Sequence, residues 1–133
     1  MSIWMQISVG SDRPVYIQLF DQISAAIARG ELKPGDKLPA VRRLAADLVI
    51  NPNTVAKSYT RLEQAHLVVT KTGSGTFVAD PKLRHTDPAD LNILVERIDT
   101  IITRALNLGL SRAKIMELFK SRLNCFTTEP EAK

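Results

Sequence analysis

Residues 49–64 read VINPNTVAKSYTRLEQ, and the start of a helix is written into them. Asn51 is a good N-cap, its side-chain oxygen free to accept from an orphan backbone N–H. Pro52 follows at the first helical position, where its missing donor costs nothing. Turning the next residues by ~100° each puts Val55, Tyr59 and Leu62 on one face and Asn53, Lys57, Arg61 and Gln64 on the other, with Thr54 beside them. The outward face has no carboxylate. Short amides, a hydroxyl and two cations near the N-terminal end of a helix are the groups that reach base edges and phosphates in a DNA major groove. The stretch reads as a recognition helix in which Asn53, Thr54, Lys57, Ser58 and Arg61 meet DNA. The plainer reading is the solvated face of an ordinary amphipathic helix, and the flanking sequence decides between the two.

Upstream, Val41, Leu44, Ala45 and Leu48 recur at helical spacing, with Arg42, Arg43 and Asp47 pointing outward, so a short helix is expected from residue 40 or 41 to Leu48. Two short helices joined by the tight turn at Val49 and Ile50 make a helix-turn-helix, with Arg42 and Arg43 beside the DNA backbone. Downstream, Leu67–Lys71 and Thr76–Val78 are β-rich runs either side of TGSG, a hairpin with two glycines in its turn. A hairpin directly after a recognition helix is a wing. Its tip, with Lys71, Gly73 and Ser74, can approach a phosphate or a minor groove closely. Further upstream, Tyr16, Leu19, Phe20, Ile23, Ala26 and Ile27 outline an amphipathic helix stopped at Gly30, and the Pro34-Gly35 pair suits the middle of a tight turn. Ile3, Met5, Ile7 and Val9 alternate like a short edge strand or arm.

LPAVRRLAADLVINPNTVAKSYTRLEQ followed by KTGSGTFV resembles the winged-helix domain of the GntR family of bacterial transcription regulators. The Asn-Pro-Asn-Thr-Val and Lys-x-Tyr-x-x-Leu-Glu spacing is most similar to its YtrA-type subfamily. The resemblance runs from about Pro14 to Val78. Position 40 is Ala where the family usually carries a capping Ser, which weakens that helix start by about 1 kcal/mol. Position 66 is His where a Gly normally ends the recognition helix, and His tolerates the left-handed conformation less well. The resemblance implies a sequence-specific regulator, most often a repressor, dimeric through a C-terminal helical region and often controlling transporter operons.

Residues 80–86 read as a linker, so the expected domains are 1–79, the winged helix with its arm, and 87–126, a helical module ahead of a loose tail at 127–133. Asp87, Pro88 and Asp90 repeat the start signal of cap, first-position proline and an acid in the first turn. Leu91, Leu94, Ile98, Ile101, Ala105 and Leu108 then follow in heptad spacing, a stripe that wants a partner helix and is assigned to dimerisation. Gly109 stops that helix and Ser111 caps a last one, whose apolar face carries Ile115, Leu118, Phe119 and Leu123. The fold class is therefore mainly α with one small β-hairpin: a winged helix-turn-helix followed by a two-helix module.

Charge agrees. Between Lys37 and Thr76 there are six basic residues and two acidic ones, a surplus equal to the +4 of all 133 residues. A Walker cradle is excluded at Gly73–Gly75, because Phe77 and Val78 continue a strand where a helix should start. His66 and His85 have no partner at zinc spacing, and the single cysteine, Cys125, leaves no disulfide or cysteine zinc site. No metal, cofactor or catalytic set is expected, and the chain is not expected to be an enzyme. A similar winged helix precedes an aminotransferase-like domain in some relatives, but only about fifty residues follow the linker here. Met1–Gly10 lacks a signal-peptide pattern and no segment reaches the ~20 apolar residues of a membrane span, so a cytoplasmic protein is expected. The expected partners are an inverted-repeat DNA operator and a second copy of the chain, and a small-molecule effector is left open. The alternative is an architectural DNA-binding protein without effector input, which would show little preference for one site over random DNA.

Overall fold

The computed structural model describes residues 7, 8, 10–83 and 87–126. Most of the expected strand at 3–9, the tail 127–133 and His85 lie outside those residues. The chain divides into two compact units, 1–83 and 84–133.

The first unit runs α1 (Val15–Ala28), α2 (Val41–Leu48), α3 (Pro52–Gln64), β1 (Val68–Lys71) and β2 (Gly75–Val78), with one turn of 3-10 helix at Pro81–Leu83 in the segment read as linker. It is a winged helix-turn-helix. Each element gives its apolar face to one core of Leu19, Ile23, Leu32, Leu38, Leu44, Ala45, Val55, Tyr59, Leu62, Val68 and Val78. Tyr16 and Phe20 were expected on the inner face of α1; they sit half-buried at its edge, and Gln18 is buried instead. Gln18 is satisfied there, because its amide accepts from the Ser8 backbone N–H at 2.9 Å and donates to the carbonyls of Ser8 and Arg13 at 3.0 and 2.8 Å. A buried amide with these three bonds made ties Ser8 and Arg13 to α1.

β1 and β2 pair antiparallel with Val68 opposite Val78 and Lys71 opposite Gly75. The segment after the Pro34-Gly35 turn adds a third edge that the sequence did not reveal. Gly35 N–H donates to Val78 O, Val78 N–H to Asp36 O and Leu38 N–H to Thr76 O, at 2.8–2.9 Å. The wing is thereby bonded on one side to the loop that feeds α2.

Helices α1 to α3 end the same way, with a left-handed residue and a backbone N–H reaching five residues back. Glu31 donates to Ala26 O, Ile50 to Ala45 O and Leu67 to Leu62 O. The left-handed residue is Gly30 in the first case, but Val49 (φ 57°) and His66 (φ 62°) in the others. His66 was expected there. Val49 was not, and a β-branched residue in that conformation is strained.

The second unit is a hairpin of α4 (Pro88–Asn107) and α5 (Arg112–Phe126). Asp87 accepts from Ala89 N–H at 2.9 Å and Ser111 from Lys114 N–H at 3.1 Å, so both caps read from the sequence are in place. Among the described residues of this unit only Ile115 is buried, with Ile98, Ile102, Ala105, Leu110 and Phe126 half-buried.

Candidate nucleic-acid interface

Asn51 caps α3 by accepting from Asn53 N–H at 2.8 Å, and Pro52 occupies the first turn. Asn53, Lys57, Arg61 and Gln64 are exposed and Thr54 is half-buried at the margin. The helix is braced from behind at two points. The Tyr59 hydroxyl donates to Pro39 O at 2.7 Å, and the Ser58 hydroxyl donates to Tyr16 O at 2.6 Å. Burial raises the Tyr59 phenol well above its ordinary pKa, so it stays a donor at any physiological pH.

Ser58 therefore corrects the sequence reading. Its side chain is fully buried and clamps α3 to α1, leaving it no access to DNA. The signal was available, since Ser58 stands three residues after Val55 and four before Leu62, on the core face. Arg42 and Arg43 are exposed on α2, and Lys71, Gly73 and Ser74 are exposed at the wing. Gly73 (φ 80°) is the third residue of a turn closed by Ser74 N–H to Lys71 O at 2.9 Å, a conformation that favours glycine.

Lys37 joins this group without having been singled out. It bridges Phe77 across the third edge of the wing, and a Cβ added at Gly75 would lie 2.7 Å from its Cε. A side chain at position 75 would push the end of the Lys37 side chain off the wing.

The profile of "Bacterial regulatory proteins, gntR family" matches residues 15–78. The transcriptional repressor YtrA of Bacillus subtilis (strain 168) is 34% identical over 116 residues, 87% of this chain and 89% of its own length. The chain belongs to the GntR family. A GntR regulator binds DNA to control transcription and is not an enzyme, and the winged helix of this one carries the parts for that work. A crystal structure titled a transcriptional antiterminator from Listeria monocytogenes EGD-e is 28% identical, with 90% of each chain covered and a TM-score of 0.78, so the likeness extends past the winged helix. The AraR DNA-binding domain, solved in complex with operator ORX1, is 25% identical, covers 59% of this chain and all of its own, and has a TM-score of 0.53.

Of the stripe assigned to dimerisation in this GntR protein, Leu91, Leu94, Ile101 and Leu108 are exposed and Ile98 and Ala105 half-buried. On α5, Met116, Phe119, Leu123 and Phe126 line an open groove of about 790 Å3. Among the described residues no group of three or more acidic, His or Cys side chains is arranged to hold a metal, and no helix is long and apolar enough to cross a membrane.

Proposed function

We propose that this regulator is a cytoplasmic homodimeric repressor that reads an inverted-repeat operator, with Asn53 and Thr54 facing base edges and Lys37, Arg42, Arg43, Lys57, Arg61, Lys71 and the Gly73–Ser74 turn facing the backbone. The observation that carries the dimer is the exposure of α4 and α5. Leu91, Leu94, Ile101 and Leu123 are each about half exposed, Met116 is 65% exposed and Leu108 73%. A monomer rarely leaves that much apolar surface in contact with water. A second copy suits the surface, because α4 and its cap carry Asp87, Asp90, Glu96 and Asp99 against Arg97 and Arg104, while α5 carries Arg112, Lys114, Lys120 and Arg122 against Glu117. Two copies double the DNA contact and demand two-fold symmetric DNA, with half-sites about one helical turn, roughly 10 base pairs, or a small multiple apart. YtrA is named a repressor, which favours repression here. A transporter operon is the target that YtrA-type resemblance suggests.

Selecting bound fragments from genomic DNA gives the operator, and sedimentation with gel-shift titration of Ile98→Glu/Ile101→Glu tests the dimer. The variant is expected to keep a folded winged helix, whose core lies before Ala79, yet to sediment as a monomer that binds the operator far more weakly. A variant still dimeric, or monomeric with undiminished operator affinity, overturns the dimer. Selected fragments without a shared site point instead to the architectural reading.

A further inference from the structure

The chain has seven aromatic residues, one Trp, two Tyr and four Phe, and three of them lie under cations of the proposed DNA surface. Lys57 Nζ is 4.0 Å from the centre of the Tyr16 ring. The Arg61 guanidinium is 5.8 Å from Tyr16 and 5.5 Å from Phe20. Lys71 Nζ is 5.2 Å from the Phe77 ring. Contacts of this kind occur about once per 70–80 residues, so three seated cations on one small surface need a reason.

The geometry explains how they arise. Tyr16 and Phe20 are four apart on α1 and so share a face; Lys57 and Arg61 are four apart on α3 and share another. The Ser58 hydroxyl, between the two cations in sequence, bonds the Tyr16 carbonyl and fixes the register of the two helices. On the wing, Lys71 faces Gly75 across the hairpin, and Phe77 is its diagonal neighbour on the same side, with no Gly75 side chain in the way.

We propose that Tyr16 and Phe20, which sequence reasoning placed in the core, are positioning residues for DNA binding: their rings hold the Lys57 and Arg61 cations in place before DNA arrives. A long side chain free on a helix surface loses many rotamers when a phosphate captures it, and a ring that already restrains it removes part of that loss. The ring occupies one side of the cation and leaves donors on the other for phosphate. The proposal rests on Lys57 and Arg61 facing the DNA backbone.

The test is fluorescence anisotropy with a random-sequence duplex over a salt series, comparing wild type, Tyr16→Phe, Tyr16→Leu, Lys57→Ala and Tyr16→Leu/Lys57→Ala, with melting curves to establish that each is folded. Tyr16→Leu is expected to bind about three- to tenfold more weakly, Tyr16→Phe within about twofold of wild type because the ring is kept, and Tyr16→Leu to cost clearly less in the Lys57→Ala background, where only the longer Arg61 contact with that ring is left to lose. Tyr16→Leu binding as well as or better than wild type overturns the proposal. So does an equal loss in the Lys57→Ala background, or a Tyr16→Phe loss as large as that of Tyr16→Leu. If Tyr16→Leu does not fold, Phe20→Leu against Arg61→Ala gives the same cycle. Lys57→Ala with wild-type affinity and an unchanged salt slope overturns instead the placing of Lys57 at the backbone.

Discussion

The Tyr59 hydroxyl on α3 donates to the Pro39 carbonyl oxygen at 2.7 Å, tying the helix that would read DNA to the loop that enters α2. Burial holds the phenol protonated, so the bond persists until the solution is strongly alkaline. Tyr59→Phe should destabilise the winged helix by about 1 kcal/mol, the usual net worth of one hydrogen bond. The pH dependence has a definite sign. The folded protein keeps this proton while the unfolded chain loses it above about pH 10, so stability falls as pH rises past that point. Denaturant unfolding at pH 7 and pH 10.5 checks both parts: the wild type should lose more stability between the two than Tyr59→Phe does.

Val49 is 88% exposed and left-handed, so its side chain gains nothing from burial while its backbone is strained. The left-handed region costs a non-glycine residue roughly 1–2 kcal/mol, partly offset in a Gly variant by the entropy of the unfolded chain. Val49→Gly should therefore stabilise by about 1 kcal/mol, several degrees in Tm for a domain this small. At the other end of α2, Ala40 caps without any side-chain bond, and Ala40→Ser should add about 1 kcal/mol. The two effects act at opposite helix ends and should sum in the double variant. A lower Tm for either single variant contradicts the reading of that helix end.

Ser58→Ala separates the clamp from DNA contact. Losing the bond to Tyr16 O should cost about 1 kcal/mol of stability, while the ratio of operator to random-DNA affinity stays as in the wild type. A collapse of that ratio would return Ser58 to the DNA surface.

Local signals made much of this architecture readable. Asn51-Pro52 and Asp87-Pro88 start helices by rules that need only neighbouring residues, and the two glycines around Ser74 announce the hairpin turn. Features held by distant partners were not legible. The Ser58 bond spans 42 residues, and the third edge of the wing joins Gly35–Leu38 to Thr76–Val78. A half-buried Tyr16 looks like a core residue in a helical pattern, since the period shows which side faces inward but not where the core stops. Val49 carries no sign of its left-handed backbone, because the neighbouring helices impose it.

A regulator of this kind must read sequence through the first turn of α3. Asn53 is exposed there, its own N–H held by the Asn51 cap and its side chain free for a base edge. The deciding measurement is the affinity of Asn53→Ala for the genomically selected operator and for random DNA at one salt concentration. The expected loss is about 1–3 kcal/mol on the operator and much smaller on random DNA. Equal losses on both, or none on either, would contradict it.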